Sequence, residues 1–191
     1  MRAPRLRHVL IASGFLFATV FGYSAAAWQN QQDSSNKEFT ERWPTPNVLQ
    51  IEHDHLHQQL AAAINAGGKT GIAAKKVKRV MRPHFLREEE IAMPPLALLD
   101  PLARGEYSNE MNDVLELTDQ LEHELPEMLK EHQAIKEALK KLASAARSEG
   151  QTQHARFADR LILHAKHEEQ ILYPAAILVG KLVRMKASDN N

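Results

Sequence analysis

The segment HFLREEEIAMP at residues 84–94 returns 80 residues later as HAKHEEQILYP at residues 164–174. An earlier segment repeats in the same way, because EHDHLHQQL at residues 52–60 returns 79 residues later as EHQAIKEAL at residues 131–139. The chain therefore contains two similar halves. A period of this length that occurs only twice is typical of a pseudo-twofold helical bundle, and not of a solenoid with many stacked units.

Apolar residues at helical spacing predict four helices around these repeated segments. Glycine and proline signals end the predicted helices, which cover residues 45–66, about 70–93, about 108–149 and about 152–186. No segment has the two-residue alternation of a β-strand. The predicted fold class is therefore all-α: an antiparallel four-helix bundle, up-down-up-down, made of two pseudo-equivalent helical hairpins.

The composition limits the chemistry that this chain supports. The 191 residues include 24 Lys and Arg, 24 Asp and Glu, ten His and no Cys. Without cysteine there are no disulfides, thiolate zinc sites or iron–sulfur clusters, so a metal has to be bound by nitrogen and oxygen donors. The formal net charge is zero and gives no broad attraction to phosphate, so nucleic acid is not expected as a partner.

The N-terminal residues 1–27 have the pattern of a secretory signal peptide. Three arginines precede an apolar run at residues 9–21, and small residues at 24–27 provide a cleavage pattern. The alternative is that residues 9–27 stay in the inner membrane as an uncleaved anchor, which would be the protein's only membrane contact. Both interpretations place the rest of the chain outside the cytoplasm, so we expect it to be periplasmic, secreted or anchored there.

The other predicted boundaries follow from the periodicity. Residues 28–44 are polar without helical spacing and are predicted to form a flexible leader. Residues 45–186 are expected to form one helical domain, because the chain is long enough for a single compact core. Residues 187–191 are predicted to be a disordered tail.

Each half carries a lone histidine, followed on the next predicted helix by a His-x-x-x-Glu pair. A separation of four residues places both members of a pair on one stripe of a helix, so they face the same core. Imidazoles and carboxylates inside a bundle are costly to bury, and a bound metal is the usual compensation. This nitrogen and oxygen donor set favours iron, with manganese or zinc less expected. The candidate ligands are His53, His84, Glu88, His132, His164 and Glu168.

The type, order and spacing of these six residues resemble those of the hemerythrin-like family, which has a hemerythrin HHE cation-binding domain. The resemblance covers about residues 48–182 and implies a four-helix bundle with a non-haem di-iron centre. In one respect the chain departs from the family: a further histidine is expected four residues after His132, where Lys136 stands, whereas His57 occupies the matching position of the first half. We therefore add His57 to the predicted ligands.

The expected allocation of ligands follows the two hairpins. One iron would be bound by His53, His57 and His84, and the other by His132 and His164, with both glutamates bridging the two ions. The second iron would then have the open coordination position.

Several nearby residues receive a plainer interpretation. We expect Tyr173 to belong to the core, with an approach of its hydroxyl to the site as the alternative. We expect His55, His123, His154 and His167 to lie at the surface. Four further glutamates adjoin the candidate ligands in sequence. Glu89 and Glu169 are expected to be exposed or to lie behind the ligands, although the resemblance leaves open that they bind metal, as glutamates at this spacing do in some members of the family. Glu52 and Glu131 are expected to be surface charges.

The resemblance implies two classes of function, and the residues do not decide whether the protein is an enzyme. The leading hypothesis is reversible O2 binding, or O2 or iron sensing and buffering, outside the cytoplasm. The alternative is a di-iron oxidoreductase acting on peroxide, nitric oxide or ferrous iron. The expected partner is thus O2, another small diatomic molecule or peroxide. A purely structural bundle without metal is the third interpretation.

Overall fold

A computed structural model describes residues 36–189, and this part of the chain is helical without any β-strand. The prediction of an all-α protein is confirmed for these residues. The predicted signal peptide or anchor, the first part of the leader and residues 190–191 lie outside the described residues. Within residues 36–189, no helix combines the length and apolar character needed to cross a membrane.

The helical elements follow one another with short connections. Helix α1 covers residues 36–42, α2 covers Asn47–Asn65, and α3 covers Gly68–Arg87 and continues into a π-helical turn, Glu88–Ala92. The connection between the halves contains the 3₁₀ segment Pro94–Leu98, helix α4 at Leu99–Ala103 and the 3₁₀ segment Asn109–Asp113. The second half comprises α5 at Val114–Ser148, α6 at Thr152–His167, a second π-helical turn at Glu168–Leu172, and α7 at Tyr173–Asp189.

Two apolar clusters form the core, one on each side of a layer of histidines and glutamates. Along α5, for example, Leu121 and Met128 belong to one cluster, Ile135 and Leu139 belong to the other, and His132 lies between them in sequence. The same order holds along α2, along α3 with its π turn, and along α6 with α7. The polar layer is therefore enclosed by apolar side chains that keep bulk water away from it.

The structure corrects both ends of the predicted domain. Residues 36–42 of the predicted leader are helical, and Phe39 is buried in the core with Trp43 packed against the same cluster. These two aromatics are four residues apart and so share one helical face, a short signal that is easily missed among polar neighbours. At the other end, α7 extends to Asp189, so residues 187–189 are helical and not a disordered tail.

The turn between α5 and α6 caps the start of α3. Glu149 accepts hydrogen bonds from the backbone N–H groups of Lys69 and Thr70, at 2.7 and 2.9 Å, and from the Thr70 hydroxyl at 2.7 Å. These N–H groups belong to the first turn of the helix, where no carbonyl within the helix is available to them. The bonds, with that from the Lys69 N–H first among them, lower the pKa of Glu149. The turn between α5 and α6 is thereby joined to the turn between α2 and α3.

We expect the variant Glu149→Gln to melt at a lower temperature than the wild type at neutral pH, because its amide group cannot accept all three bonds. Since the pKa of Glu149 is lowered on folding, the contribution of the carboxylate is present above the unfolded pKa of about 4.3 and is lost as pH falls through the folded pKa. The difference in Tm should therefore narrow in acid. Thermal melts of metal-free protein at several pH values test this, with the exposed Glu116→Gln as control. Equal Tm values at neutral pH would contradict it.

Candidate metal centre

Six predicted ligands are buried in the polar layer, each with 7% or less of its surface exposed. They form two groups in which the potential ligand atoms all lie within 4.8 Å of one another. We call the first group the α2–α6 cluster, which contains His53, His164 and Glu168. We call the second the α3–α5 cluster, which contains His84, Glu88 and His132.

The two glutamates contact histidines of both clusters. The Nε2 atom of His132 lies 3.4 Å from Glu168 Oε2 and 3.9 Å from Glu88 Oε1. The Nε2 atom of His53 lies 3.8 Å from Glu168 Oε1 and 4.0 Å from Glu88 Oε2. Both carboxylates therefore lie between the clusters, where each is placed to bridge two ions.

The grouping of the histidines differs from the expected one. The sequence predicted that His53 would share an ion with His84, and His132 with His164, within each hairpin. Instead, the ring centroids of His53 and His164 are 5.7 Å apart, and those of His84 and His132 are 4.4 Å apart. Counting residues from a turn gives only the level of a side chain along its helix. The packing of α2 on α6 and of α3 on α5, which selects the partners, is not contained in that count.

Each histidine of the centre has a carboxylate behind it. The Nδ1 atoms of the four histidines lie 2.8–3.3 Å from carboxylate oxygens, and the pairs are His53 with Glu89, His84 with Glu131, His132 with Glu169, and His164 with Glu52. Such partners fix the tautomer and the ring orientation, so that Nε2 is left for a metal. Glu52 and Glu131 were expected to be surface charges. That both precede a histidine at matching positions of the repeat is the signal that would have identified them.

A π-helical turn begins at each of the two glutamates that lie between the clusters, Glu88 and Glu168. The N–H of Met93 donates to the carbonyl of Glu88 at 2.9 Å, and the N–H of Tyr173 donates to the carbonyl of Glu168. Such turns insert one extra residue into a helix and are frequent at functional sites. Within the first turn, Glu88 is buried in the centre whereas the next residue, Glu89, lies behind His53.

The metal-free centre is an array of buried imidazoles and carboxylates. Burial opposes the charge of His164, but the adjacent Glu168 carboxylate outweighs it and raises the pKa of His164 to about 9. Burial likewise acts to raise the pKa of Glu168, yet its contacts with three histidines, His132 first, hold that pKa well below its ordinary value. The pKa values of His53 and His84 are raised as well, so protons on these three histidines balance the carboxylates, and a metal ion would take the place of those protons.

The residues of the centre fit a metal by an independent test. Two buried polar atoms, Glu88 Oε2 and His164 Nε2, have no hydrogen-bond partner in the described part of the chain. The nitrogen of His164 lies 2.6 Å from Glu168 Oε1, but without the alignment of a hydrogen bond. Unsatisfied buried polar atoms cost free energy unless something compensates them. Four imidazole nitrogens and two carboxylates are a donor set that suits iron, manganese or zinc.

The structure places His57 outside both clusters. Its side chain is 51% exposed, its Nε2 atom lies 4.0 Å from Glu89 Oε1, and its ring packs edge-on against Phe85. Lys136, at the matching position of the repeat, likewise pairs with the corresponding glutamate, Glu169, at 2.8 Å. Both residues thus lie next to a carboxylate that orients a histidine. The role of His57 as a ligand stays a prediction, and this geometry gives it no support.

Among the other histidines of residues 36–189, His154 is the one that the sequence placed wrongly. It was expected at the surface, but only 7% of it is exposed, and its Nε2 atom lies 3.3 Å from Gln153 Nε2. It belongs to the first turn of α6. At a helix end the periodicity of the sequence does not show whether another helix packs over a residue and buries it. The other three are exposed as expected: His55, His123 and His167.

Tyr173 brings a hydroxyl group into the centre. Its side chain is buried, and its hydroxyl donates a short hydrogen bond to Glu88 Oε1. The Tyr173 hydroxyl oxygen also lies 3.2 Å from His132 Nε2 and 3.4 Å from His84 Nε2. Burial, together with the charge of Glu88, raises the pKa of Tyr173. The sequence favoured a core position and left an approach of the hydroxyl to the site as the alternative, because the distance from His164 along the chain does not reveal the π turn that intervenes.

Two cavities adjoin the α2–α6 cluster. A largely apolar one of about 10 Å³, enough for about one water molecule, is lined by Leu49, Met93 and Leu96, by His53 and His164 of this cluster, and also by Glu88 and Tyr173. A surface pocket of about 350 Å³ reaches His53 from outside. The α2–α6 cluster therefore has a route by which a small molecule can approach it.

A comparison with known protein families supports a cation-binding site in this part of the chain. The family model for the hemerythrin HHE cation binding domain matches residues 45–176. That range contains both clusters, the four carboxylates behind the histidines, and Tyr173. No curated protein and no solved structure matched the chain.

Proposed function

Because the chain belongs to the hemerythrin HHE cation-binding domain family, we propose that it holds two non-haem iron ions, one in each cluster, and that its ligand is O2. We infer a protein that binds O2 reversibly, or that senses or buffers O2 or iron. The observation that carries the proposal is that the two buried clusters contact each other through Glu88 and Glu168.

The proposed scaffold is an antiparallel four-helix bundle with up-down-up-down order. Its four members would be α2, α3 with its π turn, α5, and the continuous run of α6 and α7. In support, α2 packs on α3, α3 on α5, α5 on α6, and α2 on α6. Short turns connect α2 to α3 and α5 to α6, and short connections favour antiparallel neighbours.

The side chains of this centre have separate tasks in the proposed function. The Nε2 atoms of the four histidines would hold the ions, and the two shared glutamates would bridge them. The four glutamates behind the histidines fix the orientation of the imidazole rings, so the geometry of the centre stays constant while the ligand binds and dissociates. The apolar clusters exclude water and its protons. When bound, two reduced irons supply electrons that O2 can accept and return.

We propose that the protein acts outside the cytoplasm. The supporting evidence is the signal-peptide pattern of residues 1–27, which lies outside the described residues. We expect the mature periplasmic or secreted protein to begin at Trp28, and mass spectrometry of protein recovered from its native envelope measures this. An intact N-terminus in the membrane fraction would instead identify an anchor.

The function is tested by the absorption spectrum of reduced, iron-loaded protein before and after exposure to air, combined with metal analysis. We expect about two irons per chain, a visible band that appears with O2, and loss of that band when O2 is removed. Metal analysis that finds zinc alone, or fewer than two ions, would contradict the di-iron proposal. A band that forms but does not reverse would favour turnover over binding.

A di-iron oxidoreductase acting on peroxide, nitric oxide or ferrous iron is the second candidate. The feature in its favour is the surface pocket at His53, which is lined by the acidic residues Asp54 and Glu89. Carboxylates at such a mouth attract cations and give ferrous iron a path toward the α2–α6 cluster. Assays that follow ferrous iron oxidation or peroxide consumption separate this candidate from reversible binding, because only an enzyme turns over more than one equivalent.

A further inference from the structure

The hydroxyl of Tyr173 lies inside the α3–α5 cluster. It contacts all three members of that cluster, at 3.2 Å from His132 Nε2, at 3.4 Å from His84 Nε2, and through a short hydrogen bond to Glu88 Oε1. The residue is 2% exposed. The hydroxyl oxygen therefore borders the position that a metal ion of this cluster would occupy.

Three of the distances between these atoms match the spacing of ligands around one ion. Donors at about 2.1 Å from a metal lie about 3.0 Å apart when they subtend a right angle, and about 3.4 Å apart at a tetrahedral angle. The separations of the Tyr173 oxygen from His84 and His132, and that of His84 Nε2 from Glu88 Oε1 at 3.3 Å, fall in this range. An ordinary core tyrosine would need only one hydrogen-bond partner.

The matching position in the other half carries a different residue. Met93 lies 80 residues before Tyr173, at the same offset as His84 from His164. Met93 lines the small apolar cavity beside His53 and His164, a cavity that Glu88 and Tyr173 also border. The α3–α5 cluster therefore has an additional oxygen donor, whereas both histidines of the α2–α6 cluster border a space of about 10 Å³ and the matching position of the repeat carries a weakly ligating methionine.

We propose that the Tyr173 oxygen is a ligand of the metal ion in the α3–α5 cluster, and that a small exogenous ligand binds at the α2–α6 cluster. This inference rests on the proposed di-iron function and deepens it by assigning the open position. It reverses the expectation from sequence, which gave that position to the iron bound by His132. Coordination forms a bond from the phenol oxygen to the metal, breaks the O–H bond, and releases the proton to water.

The variant Tyr173→Phe tests the proposal, with Tyr107→Phe as its control. Tyr107 is a distant tyrosine that bonds Asn112 Oδ1 at 3.2 Å. Ferric iron bound to a phenolate has a visible charge-transfer band and resonance-enhanced tyrosine ring vibrations, which imidazole and carboxylate ligands do not produce. We expect both signals in wild type and in Tyr107→Phe, and neither in Tyr173→Phe. We also expect the iron of the α3–α5 cluster to dissociate at least about 10-fold more readily from Tyr173→Phe than from wild type.

Azide gives a second measurement, because it fills open positions of ferric centres. Tyr173→Phe frees a position in the α3–α5 cluster, so it should bind a second azide per chain, whereas wild type and Tyr107→Phe should bind only the first. Circular dichroism shows whether each variant is folded.

The outcomes separate this inference from the di-iron proposal. Two bound irons in wild type without tyrosine vibrations would overturn the ligand role of Tyr173 and leave the di-iron centre intact, with the hydroxyl acting only as a hydrogen-bond donor to Glu88. Unchanged azide stoichiometry in Tyr173→Phe would overturn it as well. Wild-type protein that takes up no iron would end both proposals.

Discussion

Joint replacement of His84 and His164 by alanine is expected to abolish tight iron binding. The two changes remove one imidazole from each cluster, so neither cluster keeps two histidines. Loss of a group that merely orients a ligand costs about 10–100-fold in metal affinity, and loss of the ligand itself should cost more than 100-fold at each cluster. Iron per chain, measured after gel filtration in the presence of a mild chelator, should fall from about two to almost none.

The control is the joint replacement of His55 and His123, which are exposed and lie outside both clusters. That variant should retain the full iron content. Undiminished loading of the His84→Ala, His164→Ala protein would mean that the buried histidines do not bind the metal.

Two further pairs of changes test the grouping across the hairpins. Removing His84 and His132 together empties the α3–α5 cluster, so the protein should keep about half of its iron. Removing His84 and His53, which belong to one hairpin but to different clusters, should release both ions. If instead the second pair kept half of the iron, the allocation by hairpin would be correct.

The second large effect is expected where α7 crosses α5. A Cβ atom at Gly180 would lie 2.1 Å from Thr118 Oγ1 and 2.6 Å from Thr118 Cβ, far inside normal contact distances. Thr118 is buried, so Gly180→Ala forces the two helices apart. Overpacking of this kind costs about 1–3 kcal/mol, which corresponds to a drop in Tm of about 3–10 °C for a chain of this size.

Thermal or urea unfolding of the metal-free protein measures this effect without interference from bound ions. Leu178→Ala is the matched control, since Leu178 lies on the same helix and is 63% exposed. Its Tm should stay within a degree or two of wild type, because surface substitutions change the free energy of unfolding by about 0.5 kcal/mol or less. A Gly180→Ala protein as stable as wild type would show that α7 moves away from α5 at little cost.

The sequence was a good guide wherever the evidence was periodic. The repeated His-x-x-x-Glu pairs and the lone histidine of each half identified six side chains that the structure brings together, because the geometry of a helix determines which residues share a face. It failed where partners come from another element. The pairing of His53 with His164 depends on helix packing, and the position of the Tyr173 hydroxyl depends on a π turn that no residue pattern announces.

The α1 segment is a further case of information that lies outside periodicity. Its one buried aromatic, Phe39, is surrounded in sequence by polar residues, and seven residues are too few to establish an apolar stripe. Burial there is determined by the core cluster that receives the ring, so the leader was predicted to be flexible although its end is ordered.

Each cluster takes its histidine from the first helix of one half and its His-x-x-x-Glu pair from the second helix of the other half. Severing the chain near Gly105, in the connection between the halves, would therefore give two fragments of which neither retains a complete cluster. When the two fragments are mixed, they should reassemble, because iron bound by ligands from both fragments would hold them together. Two copies of a single half, related by a twofold axis, would complete both clusters as well. A self-associating hairpin, later duplicated and fused, is thus a sufficient ancestor for this protein.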